Sequence, residues 1–123
     1  MNTQSRIKIL LVDDDPVVLQ LLSMRLEALD FEVVCADGGK SALATLQKEC
    51  AKIVISDLRM DGMDGIELFE KIQQQYAGLP VIVLTAHGSI KEAVSATQKG
   101  VFSFLTKPVD KDELLSSIQQ ALS

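Results

Sequence analysis

Three adjacent carboxylates, Asp13, Asp14 and Asp15, follow directly on the apolar run ILLV. Like charges repel one another and resist burial beside a hydrophobic core, so a cation, a helix N-terminus or water must offset them. Asp15 precedes Pro16, a pair that is typical of a helix N-cap followed by the first helical residue, and we predict that Asp15 is a cap. Asp13 and Asp14 are then candidate ligands of a cation.

Three further polar residues stand at the ends of apolar runs. Asp57 follows IVIS, Thr85 follows VIVL, and Lys107 follows VFSFLT. Carboxylate oxygens suit a hard cation such as Mg²⁺, while a lysine and a hydroxyl can bind the oxygens of a phosphoryl group. A cation and a lysine stabilise the charge on a transferring phosphoryl group, and a carboxylate can accept that group as an aspartyl-phosphate. These residue types therefore indicate Mg²⁺-dependent phosphoryl transfer.

Each of these residues alone also has a purely structural explanation. Asp57 could cap a turn in the Asp- and Gly-rich loop SDLRMDGMDG, and Thr85 suits a strand. Lys107, which precedes Pro108, could be a solvated surface residue. The prediction of chemistry therefore depends on whether the fold brings these residues together.

The chain alternates five short β-rich apolar runs with five segments of helical periodicity. Strict alternation predicts a parallel sheet with right-handed crossovers, that is, a doubly wound α/β domain. Ligands of such folds bind beyond the carboxyl ends of the strands, where the polar residues described above are found. The apolar runs span residues 7–12, 31–36, 52–56, 80–85 and 101–106.

Helix signals lie between these runs. The first helix is predicted to begin at Pro16, and the second to run over residues 39–48. Gly78 and Gly100 are predicted to mark the ends of the third and fourth helices. The last three helices are each predicted to begin at a cap followed three residues later by a glutamate; these pairs are Asp64 with Glu67, Ser89 with Glu92, and Asp110 with Glu113.

The composition limits the possible classes of function. A chain of 123 residues suits one domain with one core, and a content of 47% hydrophobic residues argues against disorder. The net charge of −5 argues against direct nucleic-acid binding, which needs a basic surface to displace counterions. No apolar stretch approaches the length of a membrane span, and the first residues lack a secretory signal pattern, so we expect a cytoplasmic protein.

Over essentially its whole length the chain resembles the receiver domains of bacterial two-component response regulators. The motifs that carry the resemblance are LLVDDDP, IVISDLRMDGMDG, VIVLTAHGS and FSFLTKPVD, each weak alone and highly specific in combination. The C-terminal motifs are most similar to receivers of the NtrC class, which control σ54-dependent activators. The resemblance implies a CheY-like, flavodoxin-like sheet with strand order 2-1-3-4-5. It also implies that residues 1–123 are a single receiver domain, the N-terminal part of a longer transcription regulator.

The resemblance assigns roles to the residues at the predicted site. Asp57 would be the phosphoacceptor and would attack phosphorus in line. Mg²⁺ would be bound directly by Asp14, by Asp57 and by the backbone carbonyl of Arg59, and by Asp13 largely through water. Lys107 would contact a phosphoryl oxygen.

The resemblance also implies a conformational switch. Thr85 would hydrogen-bond the phosphoryl group after transfer, and the ring of Phe104 would turn inward as Thr85 moves. The Lys107–Pro108 peptide bond is expected to be cis, a form that only an X–Pro bond adopts at low cost. The chain departs from many relatives at two positions, because Phe104 replaces a tyrosine and Asp61 replaces a proline.

The implied function is signalling, with no catalysis beyond the chain's own phosphorylation and dephosphorylation. A sensor histidine kinase would phosphorylate Asp57. The face formed by the fourth helix, fifth strand and fifth helix (about residues 89–122) would then contact a second receiver or an ATPase output domain of the same longer protein. One alternative is a stand-alone receiver that acts by protein contact. A remoter one is a phosphohydrolase of the haloacid dehalogenase type, in which Asp13 and Asp15 would be nucleophile and general acid.

Overall fold

The structure, a computed structural model, describes residues 6–86 and 89–123. The five strands are β1 (Lys8–Val12), β2 (Glu32–Ala36), β3 (Ile53–Asp57), β4 (Val81–Thr85) and β5 (Ser103–Thr106). The five helices are α1 (Pro16–Ala28), α2 (Gly39–Leu46), α3 (Gly65–Gln75), α4 (Ile90–Lys99) and α5 (Lys111–Ala121). All neighbouring strands pair in parallel, in the order β2-β1-β3-β4-β5. The predicted doubly wound α/β fold and its strand order are confirmed.

Helices cover both faces of the sheet, which explains why the central strands β3 and β4 are apolar except at their C-terminal ends. Alternate side chains of each strand point to opposite faces and build two core layers. In one layer, Ile9 and Ile55 pack with α1 and α5. In the other, Leu10 and Val54 pack with α2, α3 and α4.

Side-chain caps fix where most of the helices begin. Asp15 caps α1 by accepting a hydrogen bond from the N–H of Val17 at 2.9 Å, and Pro16 follows as the first helical residue. The predicted caps of the last three helices are all observed. Asp64 and Ser89 form complete capping boxes, and Asp110 accepts the N–H of Glu113. Because each of these helices follows a strand of the parallel sheet, its capped N-terminus lies at the same edge of the sheet as the strand C-termini.

The predicted helix ends are correct in one case and wrong in the other. Gly100 is the left-handed C-cap of α4, with φ of 117°. Helix α3 ends at Gln75, three residues before Gly78, because Tyr76 leaves the helical conformation at φ −133° and ψ 63°. Gly78 instead belongs to the following turn, in which the N–H of Leu79 bonds the carbonyl of Tyr76 at 3.0 Å. A glycine can therefore mark the turn after a helix as well as its cap.

None of the helices in residues 6–86 and 89–123 has the length and hydrophobicity needed to cross a bilayer.

Candidate functional site

The sheet topology brings four strand ends together. Because β1, β3, β4 and β5 are adjacent and parallel, their last residues form one edge, with Val12 opposite Ser56 and Thr85 opposite Thr106. Asp13 comes one residue after β1, Asp57 ends β3, and Lys107 comes one residue after β5. Residues that are up to 94 positions apart in sequence thus share one site.

Lys107 lies between two of the carboxylates. Its Nζ donates to Asp13 Oδ2 at 2.9 Å and lies 3.3 Å from Asp57 Oδ1. Its backbone N–H donates to the carbonyl of Thr85 at 2.8 Å, which ties the end of β5 to the end of β4. Burial acts to lower the pKa of Lys107, but the hydrogen bond and charge of Asp13, together with Asp57, outweigh it and leave this pKa raised. The lysine is therefore held in its charged form.

Each of the three clustered carboxylates also accepts a backbone N–H group, which limits its rotation. Such charge-assisted hydrogen bonds are stronger than bonds between neutral groups. Two of the donors lie within two residues of the aspartate that they bind, and the third lies in the β3–α3 loop. The bonds are Asp15 N to Asp13 Oδ1 at 2.9 Å, Leu58 N to Asp57 Oδ1 at 3.0 Å, and Asp61 N to Asp14 Oδ2 at 3.1 Å.

Oxygens of Asp13, Asp14 and Asp57 all lie within 4.8 Å of one another, and no other such group occurs among the residues that the structure describes. Burial raises the pKa of the Asp57 carboxyl; Lys107 acts to lower it and Asp13 to raise it further. The single positive charge of Lys107 thus only partly offsets the negative charge of the three carboxylates. Hard oxygen donors with excess negative charge fit a divalent cation such as Mg²⁺.

Thr85 and Phe104 lie on the same face of the sheet, next to the site. Thr85 is fully buried at the end of β4, and Phe104 pairs with Val83, two residues earlier on that strand. The half-buried ring of Phe104 packs against the core layer beneath α4. It lines a cleft of about 630 Å³ that reaches to Asp14. The same cleft therefore adjoins both the carboxylate of Asp14 and the ring of Phe104.

The remaining predicted residues occupy separate positions. Asp15 turns its side chain to the helix cap, outside the carboxylate cluster. The Lys107–Pro108 peptide bond is cis. The side chain of Arg59 extends to Glu92 on α4, with Nη2 2.7 Å from Oε2. The sequence marks no partner for His87, so we expect it to be a surface histidine without catalytic duty; it lies outside the described residues.

Gly65, the first residue of α3, supports the site although the sequence did not single it out. A Cβ atom there would lie 2.5 Å from the backbone oxygen of Asp57 and 3.1 Å from the Cα of Leu58. The N–H of Gly65 donates to the carbonyl of Leu58 at 2.8 Å. Only glycine allows α3 to begin so close to the phosphoacceptor candidate. The dipeptide Asp64–Gly65 marks a predicted helix start in the sequence but does not indicate this close approach.

Residues 9–119 match the response regulator receiver domain family. The chain belongs to this family. It is 59% identical over 114 residues, 93% of its length, to the transcriptional regulatory protein GlrR of Escherichia coli K12. It is 38% identical over 112 residues, 91% of its length, to the DNA-binding transcriptional regulator NtrC of Salmonella typhimurium LT2. The predicted similarity to NtrC-class receivers is confirmed.

A solved receiver structure gives the same result for the fold. The chemotaxis protein CheY4 of Vibrio cholerae superposes with a TM-score of 0.89 at 32% identity, covering 96% of this receiver and all of CheY4. The receiver spans only about a quarter of the length of its curated relatives, 26% of GlrR and 24% of NtrC. The remainder of those regulators has no counterpart in the 123 residues.

Proposed function

We propose that Asp57 accepts a phosphoryl group from a sensor histidine kinase and that the receiver thereby controls a transcriptional output. The observation that carries the proposal is the position of Lys107 Nζ, between Asp13 and Asp57 at the edge of the acidic cluster. A carboxylate nucleophile, a fixed cation and a cluster that fits a metal are the groups that phosphoryl transfer requires.

In the transfer, a carboxylate oxygen of Asp57 attacks the phosphorus of a phosphohistidine in line. One oxygen–phosphorus bond forms as the phosphorus–nitrogen bond to the kinase breaks, and the imidazole nitrogen retains the electron pair. Lys107 donates to a phosphoryl oxygen and stabilises the negative charge on the group. The N–H of Leu58, bonded to Asp57 Oδ1 at 3.0 Å, orients the nucleophile before the reaction.

The residues that would hold Mg²⁺ are Asp14, Asp57 and the backbone carbonyl of Arg59, with Asp13 acting largely through water. When bound, the ion neutralises negative charge on the transferring group and on the cluster. Asp13 is 3% exposed and already paired with Lys107, which supports an indirect role. Asp14 is exposed, which supports a direct one.

After transfer, the hydroxyl of Thr85 binds the phosphoryl group and Phe104 turns into the space that this movement opens. Phosphorylation shifts a population between two states, to the extent that the phosphoryl group binds one of them better. The surface that responds is the one formed by α4, β5 and α5. Support comes from Ile90 and Val94 on α4, apolar side chains that are 85% and 50% exposed and available to a partner.

The partners follow from this function and from the relatives. The 123 residues are the receiver portion, and the N-terminal part, of a longer σ54-dependent regulator whose ATPase domain is the output. Two receivers pair through the α4-β5-α5 face, the domain makes no direct contact with nucleic acid, and the protein acts in the cytoplasm. It catalyses only its own phosphorylation and dephosphorylation. A stand-alone receiver would have the same chemistry but act by protein contact alone, and a reading frame without an ATPase domain would favour it.

Acetyl phosphate tests the central step without a kinase. Intact-mass spectrometry after incubation with acetyl phosphate and Mg²⁺ is expected to show one added phosphoryl group in the wild type and none in Asp57→Asn. Asp37→Asn is the matched control, since Asp37 is an exposed aspartate at the same edge of the sheet but outside the cluster. Phosphorylation that persists in Asp57→Asn, or that is lost in both variants, would refute the assignment.

A further inference from the structure

An ion pair joins the loop after the phosphoacceptor to the first turn of α4. Arg59, two residues after Asp57, places its guanidinium Nη2 2.7 Å from Glu92 Oε2. The two residues are 33 positions apart, so the contact is a tertiary one between the β3–α3 loop and α4. Their side chains are 62% and 38% exposed, which allows the contact to break without opening the core.

Glu92 has a second task at the same helix terminus. Its Oε1 accepts the N–H of Ser89 at 3.3 Å, and its own N–H donates to Ser89 Oγ at 3.0 Å. These reciprocal bonds are the capping box that fixes where α4 begins. One carboxylate thus sets the start of α4 with one oxygen and ties it to Arg59 with the other. A movement of the β3–α3 loop therefore acts directly on the first turn of α4.

The two residues also line the cleft beneath α4. This cleft of about 630 Å³ extends from Asp14, at the carboxylate cluster, to Phe104 on β5. Arg59 comes from one wall and Glu92 from the other, so their ion pair limits how far the walls can separate. Movement of α4 away from the β3–α3 loop requires this pair to break.

We propose that the Arg59–Glu92 ion pair is a latch that favours the unphosphorylated position of α4 and that phosphorylation of Asp57 releases it. This inference rests on the proposed function and adds the residues through which the phosphoryl group acts on α4. The new negative charge lies two residues from Arg59 and competes with Glu92 for the guanidinium. Exposed ion pairs change an equilibrium constant by about two- to fivefold, so the latch biases the equilibrium and does not lock it.

Glu92→Gln tests the latch in the unphosphorylated protein. Glutamine keeps an oxygen that can accept the Ser89 N–H, so the substitution removes the ion pair and retains the capping box. Amide spectra of the ¹⁵N-labelled chain, with and without beryllofluoride and Mg²⁺, define the two end states. Amides in β5 and the last turn of α4, away from residue 92, are expected to move toward the beryllofluoride positions, corresponding to a two- to fivefold rise in the active population.

The matched control is Glu70→Gln, which breaks the pair between Lys99 Nζ and Glu70 Oε2 at 3.6 Å. That pair joins α4 to α3 with similar exposure, 47% and 50%, but does not involve the phosphoacceptor loop. It is expected to leave the β5 amides at the wild-type positions. Arg59→Gln is expected to match Glu92→Gln, and the double variant to shift no further than either single variant, because all three lose the same contact.

The outcomes separate this inference from the proposed function. A wild type that neither responds to beryllofluoride nor accepts a phosphoryl group refutes the proposed function. A wild type that responds, while Glu92→Gln coincides with it or with Glu70→Gln, overturns the latch alone. Shifts of Arg59→Gln and Glu92→Gln that add in the double variant also overturn the latch, since independent effects add.

Discussion

Replacement of Lys107 by methionine is expected to destabilise the protein by about 3–5 kcal/mol at neutral pH without Mg²⁺, the range for breaking a buried ion pair. Methionine keeps the apolar stem and removes the ammonium, which lies 2.9 Å from Asp13 Oδ2 and 3.3 Å from Asp57 Oδ1. At an effective dielectric constant of about 20, the attraction to Asp13 alone is about 6 kcal/mol, and desolvation offsets part of it. The Asp13 side chain is 4% exposed, so water cannot replace the lysine.

Urea unfolding followed by circular dichroism, with a chelator present, measures this loss. Lys99→Met is the matched control, because its pair with Glu70 is 3.6 Å long and both side chains are about half exposed. Loss of such a surface pair is expected to lower the free energy of unfolding by at most about 1 kcal/mol. Mg²⁺ is expected to restore more stability to Lys107→Met than to the wild type, because it supplies the missing positive charge and binds only the folded state.

The pH dependence gives an independent check on the same reasoning. The pKa of Lys107 lies above its usual 10.5 in the folded protein, since its bonds to Asp13 and Asp57 outweigh burial. Its contribution to stability is therefore complete below about pH 10.5 and is lost as the pH rises through the folded pKa. The reasoning is refuted if Lys107→Met loses no more stability than Lys99→Met at pH 7, or if Mg²⁺ stabilises Lys107→Met no more than it stabilises the wild type.

Three further predictions concern neighbouring residues. The pKa of Asp57 is raised above 3.8 in the folded protein, so its ionisation disfavours folding as the pH rises through the folded pKa. Without Mg²⁺, Asp57→Asn should therefore be more stable than the wild type at pH 7. Urea unfolding should show that this difference in stability vanishes below about pH 3.8. Asp15→Ala should lower the free energy of unfolding by about 1 kcal/mol through loss of the helix cap, and calorimetry should show an unchanged affinity for Mg²⁺. Asp14→Ala should abolish Mg²⁺ binding. Equal Mg²⁺ affinities of the two variants would contradict the assignment of Asp15 as a cap and Asp14 as a metal ligand. Gly65→Ala should destabilise by about 1–3 kcal/mol and slow phosphorylation by acetyl phosphate, because its Cβ would lie 2.5 Å from the Asp57 carbonyl oxygen. Gly38→Ala, whose Cβ would have no atom within 4 Å, should leave phosphorylation unchanged and cost less than about 1 kcal/mol through its place at the N-cap of α2.

Local sequence patterns were sufficient to predict the fold and to select the candidate residues. Apolar runs that alternate with helical periodicity require a parallel sheet covered on both faces, and the structure has that sheet. The alternation also places Asp57, Thr85 and Lys107 at the ends of strands. These signals are local, since each depends on a run of a few neighbouring residues. The prediction of Gly78 as a helix end failed because the turn after α3 needs a glycine as much as a cap does.

Long-range contacts could not be predicted in the same way. Nothing near Gly65 in the sequence indicates that the carbonyl of Asp57 will lie against it. Nor does the capping-box pattern around Ser89 indicate that the second oxygen of Glu92 will bind Arg59, 33 positions away. Both contacts depend on how α3 and α4 are placed against the sheet, which is the combined result of packing over the whole core.

The three aspartates after β1 differ in how much of their role can be predicted from neighbouring residues in the sequence. The cap role of Asp15 is predictable from adjacent residues alone, because an N-cap before proline is a local pattern. The local pattern also predicts that uncompensated carboxylates lie at a strand end. The burial of Asp13 against Lys107, and the exposure of Asp14 with its bond to the N–H of Asp61, depend on the folded chain. These partners come from the end of β5 and from the β3–α3 loop, which reach the site only when the sheet is assembled.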